Sequence, residues 1–274
     1  MKNKRFVDTK PKEKLKAPSK MPAMEQDVAL HFRDQLRAAR AAALRDAEAF
    51  QEIVFVFERL GAYLSKEQGS LGSYSTWITN QAAHSPMASE VPKELPNFHQ
   101  HFDIKYDIVR DARNSALHEG ALARHLTANA VELSLVLEEA IMSERHQVSD
   151  FMVRNPVCAF MWQPLSFIRQ TMLVNSFSYL PVPIATQSKT DWRLISDFRL
   201  AQYLRKNGKI DKTELIQRLQ DAVKSGQIEL HIAKTCSPLD KIEALLQTSD
   251  GLPTLVLSPD NNELLGILTP FDLL

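Results

Sequence analysis

Gly266-Ile267-Leu268-Thr269-Pro270-Phe271-Asp272-Leu273 decides how the second half of this sequence folds. A short apolar run, 265–268, meets a hydroxyl residue, then a proline and an acid, which reads as a strand entering a helix start. Upstream, Gly251-Leu252-Pro253-Thr254 opens another apolar strand at 254–257. The same pattern occurs earlier in the chain. Tyr179-Leu180-Pro181-Val182 is followed by Trp192-Arg193-Leu194-Ile195-Ser196-Asp197-Phe198-Arg199-Leu200. Each copy has a proline-entered strand, a polar hairpin, a second strand, a hydroxyl residue and a helix start. An amphipathic helix precedes each pair, carrying Leu165, Ile168 and Met172 or Ile242, Leu245 and Leu246. The pattern predicts strands over 180–184, 193–195, 254–257 and 265–268. It predicts helices over 164–173, 200–206, 212–224 and 239–247. Residues 146–274 are thus expected to be mixed α/β and internally repeated.

The repeat resembles a tandem pair of CBS domains, a Bateman module. Val148-Ser149-Asp150-Phe151-Met152, the Tyr179–Val182 strand and Ile195-Ser196 carry the match in the first copy. Leu239–Leu246, Pro253 and Gly266–Leu273 carry it in the second. The resemblance implies ββα halves related by pseudo-two-fold symmetry, with an adenine nucleotide in the cleft between them. The chemistry is consistent with that use. A hydroxyl beside unpaired backbone N–H groups suits a phosphate, and a carboxylate three residues on can accept from ribose hydroxyls. Thr269 and Asp272 are the candidates. Thr269-x-x-Asp272 is equally an ordinary helix-capping pattern. In the first copy Ser196 is in place, but Arg199 stands where the acid should be, so that cleft would hold no ribose or would use Arg199 on a phosphate instead, and at most the Thr269/Asp272 site is complete.

The first half has a different texture. Only eight of 274 residues are glycine, which favours helix over tight turns. From Met24 to about Lys66, Val28, Phe32, Leu36, Ala39, Ala43, Ala47, Phe50, Val54 and Phe57 recur at helical steps. Ile53-Val54-Phe55-Val56-Phe57 is apolar on all sides and is assigned to a buried helix segment. Arg33, Arg37 and Arg40 form a stripe expected on a solvated face. Further helices are expected near 76–83, over 97–117 with Gly120 as terminator, and over 122–143. Residues 24–145 therefore read as an all-helical bundle. Before it, residues 1–20 hold eight basic and two acidic residues, a charge of +6 that the other 254 residues offset. Residues 1–23 are expected to be a disordered basic tail.

Arg113-Asn114-Ser115-Ala116-Leu117-His118 resembles the motif of the HEPN family of helical RNases and toxins: Arg, a polar residue, a few others, then His. The resemblance implies a homodimer that pools two such motifs and cleaves RNA without a metal. A histidine can move protons near neutral pH, and an arginine fork can hold the phosphorane. Asn114 would orient the pair. Within one ideal helix a five-residue step separates side chains by ~140°, so Arg113 and His118 would converge poorly there. The alternative reading has His118 at a helix C-terminus and Arg113 paired with an acid.

Other chemistries are excluded or weak. His99 and His101 have no third ligand at metal-binding spacing, so no metal site is expected. Neither a Gly-rich phosphate loop nor a Gly-x-Ser-x-Gly elbow occurs, and Trp77, Trp162 and Trp192 are dispersed. Cys158 and Cys236 lack redox or metal spacing, which fits a reducing compartment. No apolar run approaches the ~20 residues of a membrane span, so the protein is expected to be cytoplasmic. The sequence thus predicts a multi-domain homodimer: an all-α, HEPN-like bundle at 24–145 and an α/β tandem CBS pair at 146–274. Its expected function is that of a nucleotide-regulated, metal-independent endoribonuclease needing no cofactor for cleavage. The alternative is a non-catalytic adenine-nucleotide sensor or dimerisation scaffold that binds RNA or a protein.

Overall fold

The computed structural model describes residues 21, 24–113, 120–186, 190–206, 209–210, 212–248, 250–260 and 262–274. The chain divides into two compact units, Met1–Arg145 and His146–Leu274. Among the described residues no helix is long and apolar enough to cross a membrane.

The first unit is helical: α1 (Gln26–Arg45), α2 (Phe50–Ser65), α3 (Leu71–Ala82), α4 (Glu90–Glu94), α5 (Phe102–Arg113) and α6 (Gly120–Met142). The single run expected from Met24 to Lys66 is two helices. Asp46 takes an extended conformation (φ −140°, ψ 112°) and ends α1. Asp competes with the helix for backbone partners, which makes it a natural stop. The Thr127 hydroxyl then donates to the Ala47 carbonyl at 2.9 Å and pins the turn, and α2 folds back on α1. The Ile53–Phe57 run is helical as expected; Ile53, Val54, Val56 and Phe57 are buried while Phe55 faces out. Helix α3 begins earlier than expected because Ser70 and Ser73 cap each other reciprocally at its start. Helix α5 begins later than the expected residue 97, while the expected end at 117 lies outside the described residues and α6 is described from Gly120 onward. Leu36, Phe57, Leu60, Ile78, Tyr106, Leu133 and Leu137 form the fully buried centre. Each such large apolar side chain contributes about 1.5–3 kcal/mol by burial.

Two expectations fail in this unit. Met21 is 4% exposed and Met24 9%, and Arg145 donates to the Met24 carbonyl. Apolar Met21 is a core residue, so a tail running to residue 23 is too long; residues 1–20 lie outside the described residues. The arginine stripe of α1 is not solvated either. Arg33 is buried, its guanidinium donating to Asp34 at 2.7 and 2.9 Å. Arg37 and Arg40 close on buried Glu138 of α6. Periodicity places a side chain on a helix face, but a partner acid on another helix decides whether that face is wet.

The second unit opens with α7 (Val148–Phe151) and β1 (Val153–Arg154), then α8 (Leu165–Asn175), β2 (Tyr179–Ala185), β3 (Thr190–Ser196) and α9 (Asp197–Leu204). After β4 (Arg205–Lys206) and β5 (Lys209–Ile210) come α10 (Lys212–Ile216), α11 (Leu219–Lys224), β6 (His231–Ile232) and β7 (Lys234–Cys236). The unit ends with α12 (Ile242–Thr248), β8 (Thr254–Leu257), β9 (Leu264–Leu268) and a 3-10 turn, Pro270–Leu273. The expected 212–224 helix is thus two pieces.

The sheets are β2-β3-β6 and β1-β9-β8-β7. Each repeat lends its opening strand to the other. β1 precedes the first hairpin but pairs with β9, and β6 precedes the second hairpin but pairs with β3. Val148 and Met152, assigned from sequence to the first copy, pack with Val256 and Leu268 of the second. Leu194, Leu255 and Leu257 join the two sheets in one small core.

Register also corrects the internal alignment. Leu180 pairs with Ile195 and Thr254 with Leu268. With Ser196 matched to Thr269, Pro181 corresponds to Leu255, so Pro181 and Pro253 are not equivalent. The Pro181 carbonyl accepts from Ala159 at 2.8 Å, so its missing N–H faces away from β3. Pro183, two residues on, shares that edge, where a strand tolerates proline.

Candidate functional site

Ser196 ends β3 and caps α9, its hydroxyl accepting from the Arg199 N–H at 3.2 Å. It is 3% exposed. His231 of β6 stands beside it, Nε2 lying 3.4 Å from the Ser196 hydroxyl. Tyr179, paired with Ser196 across the hairpin, meets the His231 ring edge-on at 6.2 Å. Arg199 leans on Gln202 at 3.4 Å and on exposed Glu229 at 3.7 Å. The Ser196 corner therefore gathers a hydroxyl and an imidazole, with the Arg199 guanidinium held by Gln202 and Glu229 beside it.

Thr269 ends β9 at the equivalent place. Its N–H and its hydroxyl each donate to Asp272 Oδ2 at 2.7 Å, and the Asp272 N–H returns to the Thr269 carbonyl at 3.0 Å. This reciprocal cap satisfies both residues without a ligand. The cavity behind it, walled by Leu245, Leu246, Leu252 and Leu273, is about 10 Å³, barely one water's worth. A nucleotide here would lie on the outer side of Thr269, where Asp272 is half-buried. Asp272 would have to trade its bond from the Thr269 hydroxyl for bonds from ribose.

The register makes the two corners comparable. Leu194 faces His231, and Ile267, two residues before Thr269, faces Val153. His231 and Val153 are thus equivalent, and so are Arg193 and Gly266. A Cβ on Gly266 would lie 2.7 Å from the Met152 sulfur and 3.1 Å from the Val153 carbonyl. Glycine is what lets β1 run close along β9. His231, Tyr179 and Glu229 were not singled out in the sequence. Lone residues at unrelated spacings, they meet only through the exchange of β6.

Arg113 is the last described residue of α5, and α6, which packs on α5, is described from Gly120. Asn114 and His118 lie outside the described residues, as does the side chain of Arg113. Among the described residues no group of three or more His, Cys, Asp or Glu could hold a metal ion.

No family model matches this chain, and no curated protein matches it. Solved structures do. A CBS domain-containing protein from Bacillus anthracis is similar over 47% of this chain and 89% of its own, with 17% identity and a TM-score of 0.37. The acetoin utilization protein AcuB from Vibrio cholerae is similar over 46% and 86%, with 17% identity and a TM-score of 0.36. A CBS domain pair in complex with 5-methylthioadenosine and S-adenosyl-L-methionine is similar over 46% and 91%, with 16% identity and a TM-score of 0.33.

Proposed function

We propose that residues 146–274 form a CBS-type regulatory pair that senses an adenine nucleotide and controls the helical unit. The observation that carries this reading is the matched register of the two corners. Ser196 and Thr269 sit at equivalent strand-to-helix junctions, each beside a strand lent by the other repeat. Asp272 would accept from ribose hydroxyls. Ser196, His231 and Arg199 would take a phosphate. A ligand that spans groups from both repeats can favour one arrangement over another, which is what regulation requires.

The controlled activity in this reading is metal-independent RNA cleavage by a homodimer that pools Arg113, Asn114 and His118. What supports it, besides the motif, is that α5, which carries Arg113, packs on α6.

Purified full-length protein is incubated with total RNA in EDTA, with and without AMP, ADP, ATP or S-adenosylmethionine, beside a His118→Ala control. Binding is followed in parallel by calorimetry. The expected result is nucleotide-dependent cleavage leaving 2′,3′-cyclic phosphate ends, lost in the control while the dimer persists. Cleavage by the control protein would overturn the site. Nucleotide binding without any cleavage would leave a sensor or scaffold that binds RNA or a protein. No binding of any of the four would overturn the sensing role.

A further inference from the structure

One opening among the described residues belongs to neither corner. It is a solvent-open groove of about 740 Å³ in the helical unit, between the end of α1 and the first half of α6. Arg45, in the last turn of α1, stands at one wall, and Arg124, near the start of α6, at the other. Both are exposed, and neither has an ion-pair partner among the described residues. That contrasts with Arg33, Arg37 and Arg40 of the same α1, each matched by an acid. Leu44, 69% exposed, Ala128 and Val131 supply an apolar floor. The groove also holds two acids, Glu132, which pairs with Lys105, and exposed Asp46.

We infer that this groove binds a single strand of nucleic acid, with two successive phosphates on Arg45 and Arg124 and sugar and base edges over Leu44, Ala128 and Val131. Guanidinium forks match phosphate oxygens in pairs. Two unmatched forks on facing walls suit a ligand with repeated negative charge. A groove open to solvent admits a chain, whereas an enclosed pocket would select a free nucleotide. The inference gives a binding site to the RNA partner proposed above, and to that extent rests on that reading. Its readout is binding rather than cleavage, so the two can fail separately.

The test is fluorescence anisotropy of a labelled, unstructured 12-nucleotide RNA with full-length protein in EDTA, from 50 to 200 mM salt. A DNA strand of the same sequence forms a second arm, and unlabelled AMP is the competitor. Each phosphate neutralised on a single strand contributes about 0.7 to the slope of log K against log salt, so two contacts give about 1.4. The double variant Arg45→Gln/Arg124→Gln is expected to bind at least about tenfold more weakly at 50 mM salt and to lose about 1.4 from the slope. Arg59→Gln, an exposed arginine of α2 bonded to Gln35, is expected to leave affinity and slope nearly unchanged. Ala128→Glu keeps a good helix former and puts a carboxylate on the floor; it should weaken binding with an unaltered melting curve. Equal loss in Arg59→Gln, an unchanged slope in the double variant, or no binding by the unmodified protein would each overturn the inference. So would full competition by micromolar AMP, since a monomeric ligand would then fill the site.

Discussion

Glu138 is the group on which the joint between α1 and α6 depends electrostatically, and its removal should be costly. It is 9% exposed. Arg37 Nε donates to one carboxylate oxygen, and Arg40 Nη1 lies 2.8 Å from the other. Arg40 also donates to the Ser134 hydroxyl at 3.4 Å, one turn back on α6. The second oxygen meets Arg40 by charge rather than through an aligned hydrogen bond. Removing one member of a buried pair costs about 3–5 kcal/mol, because the other is left charged and dry. Here the Arg40 side chain is 17% exposed and Arg37 33%. Arg37 can therefore turn back to water, and the expected cost of Glu138→Gln falls to about 2–3 kcal/mol. For a unit of this size that is a drop of roughly 6–15 °C in the midpoint of the helical transition. Urea titration followed by far-UV circular dichroism measures it. A triple variant, Arg37→Met/Arg40→Met/Glu138→Leu, should recover most of the loss, since apolar groups of similar volume replace the ions without leaving one unpaired. If Glu138→Gln melts within about 0.5 kcal/mol of the unmodified protein, the cluster is a surface ion pair and the burial argument is wrong.

Three further outcomes are expected. With an adenine nucleotide at about 100 times its Kd, thermal stabilisation should be about 2.7 kcal/mol. Asp272→Asn, losing a charged acceptor worth ~1.5–3 kcal/mol, should reduce that to about 0.3–1.3 kcal/mol; an equal shift in both proteins would make Asp272 a cap alone. Gly61→Ala ordinarily favours a helix, but here the new Cβ would lie 2.4 Å from Cγ of buried Tyr74. Melting should show a loss of about 1–3 kcal/mol, whereas a gain would mean α2 and α3 separate easily. Burial, with Asp240 nearby, pushes the Cys236 thiol up to about 11. Iodoacetamide at pH 8 should then alkylate it about two orders of magnitude more slowly than a free cysteine. Because the folded value is raised, the stabilisation is complete below the unfolded value near 9 and is lost as pH rises towards 11. A urea midpoint that does not fall over that window would refute the burial of this thiol.

Much of the fold was legible because its signals are local. Strand Thr254–Leu257 was read to the residue, and β3, β9 and α8 to within three at either end, from short apolar runs closed by polar turns. What escaped depends on distant residues. β1 and β6 are two residues each and carry no pattern of their own; they are strands only because β9 and β3 offer them an edge. The break at Asp46 escaped because the apolar period continues through Ala47 and Phe50 in phase with α1. Side-chain periodicity does not register a chain reversal when both helices face one core. The arginines of α1 show the same limit: their spacing was plain, but Glu138 lies about a hundred residues away.

The two corners show how far chemistry can be read from a repeat. Ser196 and Thr269 were found because a hydroxyl between a strand and a helix start is a local arrangement with a local use. Whether it is a cap or a ligand group was not local. At Thr269 the acid three residues on folds back and completes the cap, so the residues that looked most like a ribose site are, without ligand, satisfied by each other. At Ser196 the acid is absent; the hydroxyl caps α9 by accepting from the Arg199 N–H and has His231, a residue of the second repeat, beside it, while the Arg199 guanidinium turns to Glu229. The sequence ranked the corners by motif completeness, Thr269 first. The geometry separates them by the work still available: an occupied carboxylate at one, a hydroxyl and an imidazole at the other. Ribose at Thr269 must displace an existing bond, whereas an anion at Ser196 meets groups that no carboxylate three residues on has claimed. If both corners take one ligand each, the phosphate at Ser196 should therefore dominate the affinity, and His231→Ala should weaken binding more than Asp272→Asn does.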